Sequence, residues 1–383
     1  MKKILATILA LVMALGLCSV SWAANPDLPP ADENGVITLT DDVVLTAGKE
    51  INKEGTLQVT KIDLGGHKLS RAGGFVLDIY GDVTITNGTI EMTGAESGSA
   101  IWINNGAKVT IDNSVKVSAT GSVNNNTSFA IAFDKNCNGA ALTFNGAIAG
   151  ENGVTINGII TENTNKISVN GTIDVTELAL YLAGNGTTDI NNGASLKGDV
   201  GVEIRAGVLN INGGTITSTG ANYNVTSNPG GPTTTGAALA VAEHTTNQGV
   251  TVNINGGTIT NVAGGKAISV ANPEGKEAAK GANVSVNGGT ISGDVKVGEN
   301  VKSTVEGKEP LTVSGDYNMT KDSEGNYTIA KKPTSYYYYS PSTTTPDTTT
   351  KGSPKTFDAG IGIYAVTAVL SVTGMAWTAK KRH

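Results

Sequence analysis

The chain has 383 residues, of which 50 are glycine, 16% are charged and only 5% are aromatic. That composition excludes one large aromatic-rich core and suits a stack of small turns. The formal net charge is −6; removing both ends, as argued below, drops Lys2, Lys3, Lys380, Lys381, Arg382 and Asp358 and takes 27 basic and 33 acidic residues to 22 and 32. Such an acidic surface excludes nucleic acid as a partner, because phosphate backbones select basic patches.

Met1-Lys2-Lys3 is a basic start, residues 4–17 are almost unbroken apolar sequence, and Ser21-Trp22-Ala23 closes the segment with small residues at both positions a signal peptidase reads. Residues 1–23 therefore read as a secretory signal peptide, cleaved between Ala23 and Ala24. Cys18 falls in that leader, leaving Cys137 alone. One cysteine forms neither an internal disulfide nor a metal cage, so Cys137 reads as a small hydrophobe.

Residues 24–315 repeat a three-strand unit. A strand of the form Ala-apolar-x-apolar comes first, as in Ala100-Ile101-Trp102-Ile103, Ala179-Leu180-Tyr181-Leu182 and Ala238-Leu239-Ala240-Val241. A Val-x-Ile strand follows, then a glycine corner and a Thr-Ile strand. The corner reads Asn-Gly-Gly-Thr-Ile from Asn212, Asn255 and Asn287. Period-2 alternation points Val252 and Ile254 inward and Asn253 outward. One coil cannot bury its own apolar face, so coils must stack, with Ile216, Ile259 and Ile291 in one column and Thr215, Thr258 and Thr290 in an outer ladder. Glycine supplies the positive φ of the corner, which asparagine also tolerates. A propeller needs four antiparallel strands per blade, so three short strands and one fixed corner predict an all-β parallel β-helix instead. About nine to eleven coils at ~4.8 Å make a rod of about 45–50 Å. Longer insertions fall near 219–236, 242–249 and 271–282, and are expected as loops on neighbouring edges.

Residues 316–332 read as a hairpin that caps the last open edge. Its turn carries Asp322 and Glu324, too few oxygen ligands for calcium. Residues 333–352 are rich in Thr, Ser, Pro and Tyr, lack an apolar period and predict a disordered stalk; Tyr336 to Tyr339 interrupt it without a physical reason we can give.

Asp63-Leu64-Gly65-Gly66-His67, followed by the repeated Asn-Gly-Gly-Thr-Ile, resembles the pectate-lyase-like right-handed parallel β-helix superfamily of secreted bacterial proteins. The end of the chain, residues 353–383, is similar to the sorting signal of Gram-positive cell-wall proteins: Ser353-Pro354-Lys355-Thr356-Phe357, an apolar span at 359–379 and the basic tail Lys380-Lys381-Arg382. Phe357 stands where that family has glycine. The resemblance implies that a membrane sortase cuts after Thr356 and joins the chain to peptidoglycan. The alternative is a permanent membrane anchor, since about 20 apolar residues span a bilayer and basic residues hold the tail inside. In either case the solenoid faces outward.

The superfamily resemblance implies two kinds of chemistry for those members that are enzymes. Lyases use calcium-binding carboxylates with a basic residue, often Arg, as general base; hydrolases use grouped aspartates with His and Arg nearby. Outside the ends this chain has Arg71 and Arg205 as its only arginines and His67 and His244 as its only histidines. His67 reads as a turn residue and His244 as part of a polar insertion. Asp41-Asp42 is the only adjacent aspartate pair, with no Arg or His beside it in sequence, and reads as an exposed turn. No catalytic, cofactor-binding or metal-binding residue is assigned. Three outward x positions carry large groups: Trp102, Tyr181 and Glu203. The two aromatics are candidate platforms for sugar rings. The sequence thus predicts a non-enzymatic, cell-wall-anchored surface protein, an adhesin or rod binding a glycan or protein of a host or microbe. The alternatives are a wall-attached polysaccharide lyase or glycoside hydrolase, and a structural envelope component.

Overall fold

The computed structural model describes residues 27–121, 128–158, 162–228, 231–243, 248–273, 276 and 280–333, apart from the side chains of 95–97. Ala23 and Ala24 with the leader, His244, Tyr336 to Tyr339, the motif Ser353-Pro354-Lys355-Thr356-Phe357 and the span 359–379 lie outside the described residues. The chain divides into two units, Met1–Pro333 and Thr334–His383, and every described residue belongs to the first.

The described residues are all β, with no helix among them. Strands recur in three rows. The Val-x-Ile strands build an eleven-stranded sheet that runs from Val36–Thr38 to Leu311–Val313, each strand parallel to the next. The other two rows share a second, eighteen-stranded sheet. One is the corner row, which follows the glycine turn and ends with Thr258–Asn261 and Thr290–Ser292. The other, here the face row, holds the Ala-apolar-x-apolar strands, among them Phe129–Phe133, Val200–Ile204 and Ala237–Val241. Corner and face strands run on as single strands in Lys68–Ile79, Gly88–Ile103, Ala147–Ile156 and Thr172–Leu182. The chain visits the rows in fixed order, and partners lie a coil apart in sequence, an arrangement compatible with a solenoid.

Period 2 sets what lies inside. Val252 and Ile254 are buried and Asn253 is half-buried on the other face. Ile216 pairs with Ile259 and Ile259 with Ile291. The column continues toward the N-terminus through Leu196, Ile173 and Ile148. Thr215, Thr258 and Thr290 form the adjoining outer ladder in the same registers. Each buried aliphatic side chain contributes about 1.5–3 kcal/mol. A stack of such columns therefore does what no single coil could.

Glycine supplies the positive φ of the corner as expected, and the asparagine of the repeated phrase has a further role. The positive φ falls on the second glycine, at Gly214 (72°), Gly257 (79°) and Gly289 (83°). Among the described non-glycine residues only Asn52 and Asn87 take positive φ. The asparagine is there for its amide. Asn170 donates to Asn145 (2.8 Å), Asn191 to Asn170 (2.9 Å), Asn212 to Asn191 (3.4 Å), Asn255 to Asn212 (3.1 Å) and Asn287 to Asn255 (3.3 Å). Identical amides one rung apart satisfy each other, the ladder geometry of stacked in-register strands. The first glycine lets rungs approach closely: a Cβ on Gly288 would stand 2.0 Å from the Asn255 carbonyl oxygen.

Tyr317–Lys321 and Asn326–Lys331 form an antiparallel hairpin, and the second of these strands pairs antiparallel with Val295–Val297 of the face row. Tyr317 and Ile329 pack into the main core, and the Tyr317 hydroxyl donates to the Gly289 carbonyl at 2.8 Å. The Asp322 carboxylate accepts from the backbone amides of Glu324 (2.9 Å) and Asn326 (2.8 Å), so it closes the hairpin turn.

Candidate functional site

The face row carries the outward side chains that vary most. Its register places Glu50, Asp78, Trp102, Ala132, Thr155, Tyr181, Glu203, Ala240, Ser269 and Lys296 in one outward column, a rung apart. Two residues further along each strand, a second column runs through Tyr80, Asn104, Asp134, Ala183 and Arg205. Its backbone amides donate to the preceding rung, for example Asn104 to Ile79 at 2.9 Å and Asp134 to Ile103 at 2.8 Å. The strands are held in this register by close packing behind them. A Cβ on Gly201, which replaces the usual alanine, would lie 2.5 Å from Ile216 Cγ2.

One part of this face is covered. The insertion at 219–236 does not project; Asn224–Val225 pairs with Thr234–Thr235, and the insertion folds back onto the face row. Beneath it Phe129, Leu178, Tyr181, Ala183, Val200, Ala237 and Ala240 form a second apolar cluster, with Tyr223 against it. Phe129 stacks on Tyr181 with ring centroids 6.3 Å apart. Tyr181 is 1% exposed and Glu203 is 0% exposed, so neither offers a free surface to a sugar. This corrects the expected role of Tyr181 as a platform: it faces away from the main core, but the insertion occupies the space in front of it.

Two buried charges clamp the cover. The Glu203 carboxylate accepts from the Thr233 amide (2.8 Å), the Thr233 hydroxyl (2.9 Å) and the Thr234 amide (3.2 Å). Burial pushes its carboxyl above the ordinary range, opposed by the Thr233 amide and the Arg205 charge. Arg205 Nη1 donates to the Tyr181 hydroxyl (3.2 Å) and to the carbonyls of Asn228 (3.1 Å) and Gly231. Burial raises the Tyr181 phenol to about 12. Buried charges that are multiply hydrogen-bonded in this way fix one loop conformation.

Nearer the N-terminus the same face is only partly exposed, with Asp78 at 6%, Ala132 at 3% and Thr155 at 7%. Trp102 is half-buried, between Asp78 on one rung and Ala132 on the next. The Asp78 carboxylate accepts from Asn104 Nδ2 and from the Tyr80 hydroxyl at 2.9 Å. Burial raises its carboxyl, against the opposing effect of those two hydrogen bonds. Glu50 lies one rung before it, ion-paired with Lys53, whose ammonium also sits 5.5 Å from the centre of the Tyr80 ring. By register Trp102 neighbours Asp78, and through it the Asn104 amide and the Tyr80 phenol, a mix of aromatic and polar groups of the kind that sugar rings contact.

The remaining candidates are spoken for. Arg71 Nη1 donates to the Phe75 carbonyl at 2.8 Å and its guanidinium lies 5.7 Å from the Phe75 ring centre. Asp42, which has no histidine beside it in sequence, has one in space: His67 Nδ1 is 3.6 Å from its carboxylate, which also accepts from the Lys68 amide at 2.9 Å. Cys137 is buried, and burial raises its thiol to about 12. Among the described residues no group of three or more His, Cys, Asp or Glu is placed to hold a metal.

Sequence reading missed Asp78, Tyr80, Asn104 and Glu50. For Asp78 the signal was present: Val76-Leu77-Asp78-Ile79 is the face-row phrase with valine in place of alanine, whereas Gly48-Lys49-Glu50-Ile51 also has lysine at the first apolar position. Comparison with known protein families, with curated proteins and with solved structures gives no match for this chain.

Proposed function

We propose that this chain is a non-enzymatic surface protein that presents a right-handed parallel β-helix outside the cell and binds glycan at the part of its face row around Trp102. Parallel strands feeding a right-twisted stack favour that hand. The leader and the sorting segment supply the address: export, then sortase joining of Thr356 to peptidoglycan, with a membrane span at 359–379 as the alternative anchor. The observation that carries the binding reading is Trp102, half-buried one rung from Asp78, which in turn accepts from Tyr80 and Asn104. Its two arginines argue against polyuronate cleavage, since both donate to backbone carbonyls rather than toward an open site.

A panel of plant, host and microbial glycans offered to the full chain tests this reading. Expected is saturable binding that Trp102→Ala removes, with polymer length unchanged and no unsaturated product. Polymer shortening would support the lyase or hydrolase reading instead. For the anchor, a wall-digesting enzyme should release the protein from cells; release by detergent alone would favour the membrane span.

A further inference from the structure

This inference rests on the glycan reading for its ligand and goes beyond it by assigning a moving part. The insertion over the face row leaves and rejoins the stack at one point. A Cβ on Gly220 would lie 2.7 Å from the Cα of Gly236, and Gly236 takes a φ of 62°. Asn261 Nδ2 donates to both stems, to the Gly220 carbonyl at 2.8 Å and to the Gly236 carbonyl at 3.2 Å. Rung bonds close on either side: the Thr219 amide donates to the Gly198 carbonyl and the Lys266 amide to the Gly236 carbonyl, each at 2.8 Å. The stack is therefore continuous past the insertion, which is a loop with its ends together.

What holds residues 221–235 down differs from what holds a strand. Among the described residues no hydrogen bond between main-chain atoms joins them to the stack. Asn224–Val225 pairs only with Thr234–Thr235, and the Thr226 amide donates to the Thr233 carbonyl. The ties to the face row are the side chains of Glu203 and Arg205, and the Tyr223 hydroxyl at 3.0 Å from Ser269 Oγ. Among the described residues Tyr223 is the one apolar side chain of 221–235 packed on the second cluster, and it is only half-buried. The closed arrangement also leaves Arg205 Nε and Thr234 Oγ1 buried without partners. Water satisfies both once the cover lifts, which narrows the gap between the closed and open forms.

We propose that residues 220–236 are a hinged cover that lifts from the face row as one unit about Gly220 and Gly236, baring Tyr181 with Glu203 and Arg205 to the glycan that meets Trp102. While the cover is down Tyr181 meets no ligand. Once it is up, the ring stands in the same outward column as Trp102, about 14 Å along it at three rung spacings. The two charged side chains, released from the main chain of the cover, then border that ring.

The test is residue-resolved hydrogen exchange of the full chain in detergent. The amides of Thr226, Thr233 and Thr234 should exchange together, about tenfold or more faster than those of Ala237–Val241. Tyr223→Ala should speed all three alike by about tenfold and leave Ala237–Val241 as they were. Rates equal to those of Ala237–Val241, or three unlike rates, overturn the hinge. A second arm replaces residues 221–235 by two glycines, a join that the touching stems allow. Six-ring oligomers of glucose, N-acetylglucosamine and galacturonate are titrated into the intact and coverless chains, with Tyr223→Ala carrying the same titration should the join fail to fold. An oligomer that binds the intact chain should bind the opened one about tenfold tighter, and Tyr181→Ala in the opened form should remove the gain. Equal affinity in both forms overturns the baring of Tyr181 and leaves the glycan reading standing. No binding by either form overturns the ligand and the glycan reading together, while the exchange rates still decide the hinge.

Discussion

Trp102 and Tyr181 occupy the same column of the same row, three rungs apart, in strands of the same pattern. One ring is half-buried and the other is 1% exposed. The difference lies in neither strand. It comes from Phe129, which stacks on Tyr181, and from the insertion at 219–236, which leaves the stack between Thr215–Ser218 and Ala237–Val241 and folds back over earlier rungs. A regular scaffold thus fixes which side chains face outward, and one irregular segment decides which of them a ligand can reach.

The largest effect expected comes from breaking the clamp. Arg205→Ala removes three donor contacts and leaves the buried Glu203 carboxylate without its nearby positive charge. The loss should be about 3–5 kcal/mol in urea unfolding, with new protease cleavage inside 219–236. Unchanged stability would mean the cover is not held as described.

Ring truncations sharpen the contrast directly. Tyr181→Ala opens a cavity beside Phe129 and under the cover, and should cost about 3–4 kcal/mol. Trp102→Ala should cost about 1 kcal/mol or less while abolishing glycan binding. Similar unfolding midpoints for the two variants would erase the distinction.

Acidity separates Glu203 of the covered face from Asp63 of the Val-x-Ile row, with opposite slopes. Burial lifts the Glu203 carboxyl above its ordinary value of 4.5, so the unfolded chain releases that proton first as pH rises. Stability tied to Glu203 is therefore complete below that value and is lost as pH climbs through the raised folded value. Glu203→Gln should flatten that fall. Asp63 has the opposite sign: the hydrogen bond from Lys61 chiefly holds it low, so its contribution is present above its ordinary value of 3.8 and is lost on acidification through the folded value. Unfolding midpoints measured across the acidic to neutral range, with Lys61→Gln beside Glu203→Gln, check both signs.

The smallest effect lies in the regular part. Asn255→Ala removes one amide from the ladder between Asn212 and Asn287, and should cost about 1 kcal/mol by thermal unfolding. A larger loss would show that the corners, more than the cover, hold the stack.

Much of the stack was legible because period 2 and a repeated phrase are local signals. Alternation alone put Ile216, Ile259 and Ile291 in one column and turned Asn253 outward. It also identified the outward x position of Tyr181. It could not show that Tyr181 was covered, because the insertion has no period and its contacts span 20 residues or more: Arg205 reaches Asn228 across 23 positions and Glu203 reaches Thr233 across 30. The asparagine ladder stayed hidden for a related reason: a linear reading sees each Asn beside its own glycines and assigns it to the turn, while its partner is another Asn 20 to 45 residues away. Asp78 was overlooked where Val76 replaces the alanine of the phrase. Asp42 looked solitary because His67 comes to it only across a rung.

Collisional quenching of a single tryptophan tests the cover most directly. With Trp22→Phe and Trp377→Phe, Trp102 is the only tryptophan of the full chain; adding Trp102→Phe and Tyr181→Trp moves the reporter three rungs along the same column. Acrylamide should quench the reporter at position 102 readily and that at 181 hardly at all, and Arg205→Ala should make 181 as accessible as 102. Equal quenching at the two positions in the intact protein would contradict the account.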